Sequence, residues 1–174
     1  MAKTPVLYYG RTGPTALGRL WLAASEEGLI AIEQGLSQAE FTAWLARRFH
    51  RAAAYAPERV LAAAGQVEEY LAGRRREFDL AIDWTPLTAF QRAALRATCA
   101  IPRGQTRTYA QIAAQIGRPR AARAVGRAEA TNPLPLVIPC HRVVGTDGGL
   151  HGYGLARGLK TKAWLLEMER KNPG

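Results

Sequence analysis

Residues 135–144 read Pro-Leu-Val-Ile-Pro-Cys-His-Arg-Val-Val. Cys140 stands directly against His141, with Pro139 before it and Arg142 two places on. A thiol does chemistry as thiolate, and a neighbouring imidazole or guanidinium favours that form. Pro139 fixes its own φ and pushes Ile138 towards extended backbone. Cys140 is therefore expected at a bend after a strand-like apolar run formed by Leu134, Leu136, Val137 and Ile138. Cys in an apolar run is also a common packing residue. Neighbouring side chains on extended backbone point to opposite faces. These ten residues by themselves leave open both a packed and a reactive sulfur.

The flanking sequence is helical. Thr88 can cap a helix over residues 89–100, which Pro102-Arg-Gly104 stops. Thr108-Tyr109 opens a short helix through Ile116, Gly117-Arg-Pro119 is a sharp turn, and a third helix is predicted over 120–130, closed by Asn132-Pro133. Short helix, Gly-containing turn and second helix form a helix-turn-helix pattern. Arg120, Arg123 and Arg127 recur at spacings of three and four, so they share one face. A basic face turned to water fits that periodicity equally well. The aromatic Tyr109 at a helix start reads, on its own, as packing under the turn.

The first half mixes strands and helices. Strands are predicted over 5–10, 17–24 and 29–32, with Ser25-Glu-Glu-Gly28 as a turn, giving an antiparallel meander. Ser37 with Glu40 three residues later is a capping box, and Phe41, Leu45 and Phe49 follow at helical spacing. His50 among arginines reads as a solvated side chain. A second helix is predicted over 57–71, with Val60, Leu61, Ala64, Val67 and Leu71 on one side. Phe78, Leu80 and Ile82 alternate as a strand. Asp83-Trp-Thr-Pro86 is the best boundary. The expected architecture is α+β: an N-terminal α/β domain with a small antiparallel sheet over 1–84, and a mostly helical domain over 85–174.

Composition narrows the function classes. The 174 residues carry 24 Lys and Arg against 14 Asp and Glu, a net charge of +10 that points to a polyanion such as nucleic acid. Cys99 and Cys140 are the only cysteines, too few for a disulfide framework or a Cys-rich zinc knuckle. No metal and no cofactor is expected, and Cys99, at a helix end, is expected to pack. No stretch reaches the roughly 18 apolar residues of a membrane span, and the start lacks the apolar run of a signal peptide. A reduced, cytoplasmic protein without membrane contact is expected.

Ile138-Pro-Cys-His-Arg-Val-Val144 resembles the active-site motif of the O6-alkylguanine-DNA alkyltransferases. Other segments follow that family's order: Phe90-Gln91, residues 101–113 (Ile-Pro-Arg-Gly-Gln-Thr-Arg-Thr-Tyr-Ala-Gln-Ile-Ala), Arg123-Ala-Val-Gly-Arg127, Asn132-Pro133, Gly152-Tyr153-Gly, and Lys162-Ala-Trp-Leu-Leu-Glu-Met-Glu169. The match is dense from residue 85 to 170 and loose before it. It implies a ribonuclease-H-like N-terminal domain and DNA repair by direct reversal. In that reaction the Cys140 thiolate takes an alkyl group from O6 of guanine, and O4 of thymine is left open. The resulting thioether ends the protein's activity after one turnover. By the same resemblance His141 acts as base through a water, Glu169 holds the imidazole, Asn132 organises the turn beneath the site, and Tyr109 helps rotate the nucleotide. Arg123 fills the gap left in the stack, with Arg120, Arg127 and Thr108 alongside it on DNA. Val143, Val144, Gly152 and Tyr153 would floor the pocket, bordered by Ala156, Arg157 and Gly158. The stretch Gly152-Tyr-Gly-Leu-Ala-Arg-Gly-Leu159 is longer than the family's usual pattern, so the loop limiting alkyl size is expected to be reshaped. The partner is double-stranded DNA carrying O6-alkylguanine, met by a monomer, with cooperative assembly on DNA left open. Three other readings compete: a lesion sensor without chemistry, which the presence of Cys140 argues against; a helix-turn-helix regulator; and a Cys-His hydrolase, for which the sequence offers no oxyanion hole.

Overall fold

The computed structural model describes residues 6–172. The chain is α+β and divides into two compact units, with the break between Pro86 and Leu87.

The first unit is built on a four-stranded sheet in the order β3-β2-β1-β4. Its strands are β1 (Leu7–Arg11), β2 (Leu20–Ser25), β3 (Gly28–Gln34) and β4 (Ala53–Tyr55). The β1–β2 and β2–β3 pairs are antiparallel, as the meander predicts, and β4 joins β1 in parallel. β4 has no sequence signal, because Ala53-Ala-Tyr is a weak strand former. Pro5, which opens the first expected strand, lies outside the described residues. Helix α1 (Gln38–Phe49) carries the capping box: Ser37 Oγ accepts from Glu40 N, and Ser37 N donates to the Glu40 carboxylate at 2.7 Å. Its Phe41 and Leu45 are buried among Leu7, Tyr9, Trp21, Ala23, Ile30 and Ala31. Trp21 stacks on Phe41 with ring centroids 5.5 Å apart and donates its indole N–H to Leu36 O at 2.8 Å.

Two expectations fail in this unit. The helix predicted over 57–71 is a 3-10 turn, Pro57–Arg59, followed by α2 (Leu61–Leu71). The break at Val60 resets the helical phase, so Leu61 is 69% exposed instead of facing the core. The strand predicted from Phe78, Leu80 and Ile82 shrinks to a single bridge, Leu29↔Ile82. Gln66 claims the backbone there: its side chain accepts from Asp79 N and donates to Asp79 O, at 2.8 and 3.0 Å. Gly28, at φ 143°, lets this segment approach, since a Cβ would lie 2.5 Å from Ala81 O.

The second unit starts with α3 (Ala89–Cys99), closed by a second capping box between Thr88 and Gln91. A short strand β5 (Arg107–Thr108) leads into α4 (Tyr109–Gln115), where Thr108 and Gln111 form a third box. Gly117, at φ 72°, makes the turn to α5 (Ala122–Ala130). A 3-10 turn spans Cys140–Arg142, then β6 (Val143–Val144) pairs in parallel with β5, and α6 (Leu159–Lys171) follows. Ala94, Ala97, Ile101, Ile112, Ala113, Val125, Ala128 and Val143 form the core.

Three corrections apply here. The third helix begins at Ala122, not Arg120, because Arg118 O already bonds Ala121 N in the preceding turn. Arg120 thus sits before the helix and does not share its face with Arg123 and Arg127. The apolar run before Cys140 is a tight turn, not a strand: Ile138 N bonds Leu134 O at 2.9 Å and Leu136 sits at φ 75°. Pro133, Pro135 and Pro139 lack the donors a ladder needs. Cys99, expected to pack, is exposed.

Phe41→Ala removes the ring on which Trp21 stacks. It should destabilise the first unit by about 3–5 kcal/mol, read as a lower urea midpoint followed by tryptophan fluorescence.

Candidate active site

Cys140 lies on the 3-10 turn with His141 and Arg142, and all three are buried. Asn132 supports the turn from beneath: Nδ2 donates to Ile138 O at 3.0 Å, and Oδ1 accepts from Leu134 N at 2.9 Å. Cys140 N then bonds Ile138 O at 2.8 Å. The sulfur is pinned between a proline and a helical turn, on a loop whose backbone is held by one Asn.

Glu169, fully buried on α6, reaches this turn. Its Oε1 lies 2.9 Å from His141 Nε2. Arg142 donates to both carboxylate oxygens, Nε to Oε2 at 3.0 Å and Nη2 to Oε1 at 2.8 Å. Gly104 N donates to Oε2 at 3.2 Å, and Arg142 Nη1 donates to Ile101 O at 2.6 Å. Burial pushes the Glu169 pKa up, but the bonds from His141 and Arg142 outweigh it and hold the carboxyl far below the ordinary range. Burial lowers the His141 pKa against the opposing pull of Glu169, so the imidazole is neutral near pH 7 and able to accept a proton.

Lys162 lies two turns before Glu169 on the same buried face of α6. It is fully buried, with Nζ donating to Val143 O at 2.7 Å and His151 O at 2.8 Å. It also stands 5.9 Å from the centre of the Tyr109 ring. Tyr109 donates its hydroxyl to His151 O at 3.3 Å. Burial, with the negative potentials of Glu129 and Cys140, pushes its pKa up to about 12. The phenol therefore keeps its proton as a donor.

Tyr109 and Arg123 line a cavity of about 510 Å³, together with Gly126 of α5 and Gly145, His151 and Gly152 of the loop after β6. Gly126 faces the Tyr109 ring, which a Cβ there would meet at 3.8 Å, an ordinary contact. Of the expected pocket residues only Gly152 lines this cavity. Val143 and Val144 are instead buried in β6, where they pair with β5, and Tyr153, Ala156 and Arg157 lie outside the lining. Cys140, 7% exposed, is not in the lining either; Tyr109, which is, feels its charge. Arg123 and Arg127 are exposed on α5, and Arg120 is exposed ahead of it. Thr108, expected at the DNA, spends its hydroxyl on the α4 cap, accepting from Gln111 N at 3.1 Å.

The charge is unevenly placed. Residues 87–174 hold 14 Lys and Arg against four Asp and Glu, whereas the first 86 residues hold ten of each. Two of those four acids, Glu129 and Glu169, are buried, so the surface of the second unit is basic almost without relief.

Residues 7–84 match the family model for the 6-O-methylguanine DNA methyltransferase ribonuclease-like domain, and residues 89–171 match that for its DNA binding domain. A methylated-DNA–protein-cysteine methyltransferase of Methanosarcina barkeri is 42% identical over 160 residues, covering 90% of this chain and 93% of the relative. The chain belongs to the methylated-DNA–protein-cysteine methyltransferase family. The constitutive Bacillus subtilis member is 39% identical over 164 residues, 93% of this chain and 95% of its own. Among solved structures, the Mycobacterium tuberculosis O6-methylguanine methyltransferase superposes with a TM-score of 0.77 at 37% identity, covering 95% of this chain and 94% of that one. The same organism's enzyme in complex with DNA gives 0.74 at 36% identity, over 96% and 94%.

Sequence reasoning missed three buried groups in this methyltransferase site: Arg142, Glu129 and Lys162. From the sequence Arg142 is only a cation near the thiol; the structure makes it the bidentate partner of Glu169. Glu129 had a usable signal, for it falls on the same helical face as Val125 and Ala128. Lys162 had none, since a Lys on an amphipathic helix reads as solvated.

Glu169→Gln leaves Arg142 and His141 without their anion. It should cost about 3–5 kcal/mol. A carboxyl whose folded pKa is depressed contributes stability that is present above its unfolded pKa, about 4.3, and lost as pH falls through the lower folded value. Acid titration of stability should therefore be steeper below pH ~4.3 in the parent than in the variant.

Proposed function

We propose that this protein removes alkyl groups from O6 of guanine in double-stranded DNA, once per molecule, with Cys140 as acceptor. The observation that carries the reading is the Cys140-His141 turn clamped by Glu169 within the unit that holds the whole net charge. DNA is the partner of the solved M. tuberculosis relative, and the basic helix-turn-helix of α4 and α5 supports the same partner here. Residues 1–84 would form the ribonuclease-like domain and 85–174 the domain that binds DNA and reacts. The protein would work inside the cell, where a thiol stays reduced.

The chemistry is one displacement at carbon. The guanine O6 lies at the pairing edge, so the nucleotide must leave the duplex to reach a buried sulfur. Arg123, exposed at the rim of the cavity, would occupy the space left in the stack, and Arg127 would hold phosphate. Burial, and then the charge of Glu129, push the Cys140 pKa up to about 12, against a hydrogen bond with Asn132 and the charge of Lys162. The resting group is thus the thiol, and it needs a base. With Nε2 of His141 committed to Glu169, Nδ1 is the nitrogen that would take the sulfur's proton through a water, the logic of a base oriented by a third group. The sulfur forms its bond to the alkyl carbon as the carbon–O6 bond breaks. The electron pair passes to the guanine, where a hydrogen bond from the Tyr109 hydroxyl would stabilise the charge, and the proton lost by the sulfur ends on the leaving base. The product is a thioether, with no group at hand to reverse it.

Incubation with duplex carrying O6-methylguanine should add the mass of one methylene per molecule, and no more, located at Cys140 by peptide mass spectrometry. Cys140→Ala should bind the duplex and gain nothing. Unmodified protein after prolonged incubation would reject the reading. Arg127→Ala should lower the slope of log affinity against log salt by about one.

A further inference from the structure

The outer face of α5 carries Arg123 and Arg127, and its inner face carries Val125, Ala128 and Glu129. Glu129 is 5% exposed. Its Oε1 accepts from Thr98 Oγ1 of α3 at 2.6 Å. Its Oε2 is sealed from solvent with no hydrogen-bond partner among the described residues. A carboxylate in that position is costly as an ion, so it tends to keep its proton. The titratable groups that feel it are Cys99 on α3, Tyr109 on α4, Cys140 on the 3-10 turn and Lys162 on α6. Of these only Lys162 is a cation, and its Nζ is fixed on Val143 O, three residues past the sulfur. The Glu129 carbonyl also accepts from Asn132 N at 3.2 Å, so the carboxyl and the loop under Cys140 are tied by backbone.

Building on the alkyl-transfer reading, we propose that Glu129 is a positioning residue that governs the reactivity of Cys140: the two acids share the single positive charge of Lys162, and the sulfur gives up its proton readily only while Glu129 keeps its own. Burial, opposed by the Thr98 bond and Lys162, pushes the Glu129 pKa up to about 7, so its charge changes in the neutral range. Below neutrality the neutral carboxyl leaves Lys162 to favour the thiolate. Above it, the carboxylate takes that cation and opposes a second negative charge nearby. Thiolate, which would otherwise rise tenfold per pH unit, stalls through neutrality and then rises again.

The test uses the full chain with Cys99→Ser, which leaves Cys140 as the one thiol. The rate of alkylation by iodoacetamide is followed from about pH 5.5 to 9. The parent should give a log rate that climbs, flattens just above pH 7 and climbs again; Glu129→Gln should give one uninterrupted line. At pH 8 the variant should react about threefold faster, from roughly tenfold more thiolate that is each about threefold less nucleophilic. The carboxyl carbon of Glu129, assigned by its loss from the 13C spectrum of the variant, should titrate near neutrality in the parent. Parallel rate profiles, or a Glu129 carboxyl titrating in the ordinary range, would overturn the proposal. If the variant's sulfur is accelerated but the parent takes no methyl from damaged duplex, the charge coupling stands and the alkyl-transfer reading falls.

Discussion

One buried anion organises the reactive end of this protein. Glu169 has no access to water and would be prohibitively costly alone. It is tolerated because two segments turn donors onto it: the loop after α3 through Gly104 N, and the 3-10 turn through His141 and the fork of Arg142. The remaining arm of Arg142 then ties the turn to Ile101 O. Closing the carboxylate's coordination thus fixes α6, the Cys140 turn and the end of α3 against one another. The imidazole is oriented as a by-product of neutralising the charge.

The second unit holds two buried carboxyls, and their surroundings drive them apart. Glu169 meets a guanidinium and is locked as an anion. Glu129 meets a hydroxyl and a more distant cation, and titrates near neutrality. Environments that separate like groups in this way are how one fold supplies both a permanent charge and a titrating one. α5 links that electrostatics to its outer surface. Its nine residues place arginines outside and Glu129 inside, so anything that moves the helix relative to the Cys140 turn acts on both.

Much of the fold is local and was legible. The capping box at Ser37, the helix cap at Thr88, the turn glycine Gly117 and the alternation of β1 to β3 are short-range rules, and the structure follows them. Departures came where a distant group intervened. Gln66 took the backbone of Asp79 and left a bridge in place of a strand, and a phase break at Val60 turned Leu61 outward. The surroundings of β6 are another case: Val143 and Val144 are drawn into a parallel pair with residues far upstream, which no window around them reveals.

What the chain determined by itself is the reactive sulfur's neighbourhood along the backbone. Pro139 and His141 are bonded on either side of it and Arg142 follows one place later, Asn132 lies within reach of its loop, and the basic charge is written into the second half of the sequence. What only tertiary structure decided is the protonation landscape. Whether Glu129, Lys162 and Glu169 are solvated charges or buried ones depends on which helix faces close over them, and the free energy of a charge depends on its surroundings far more than on its place in sequence.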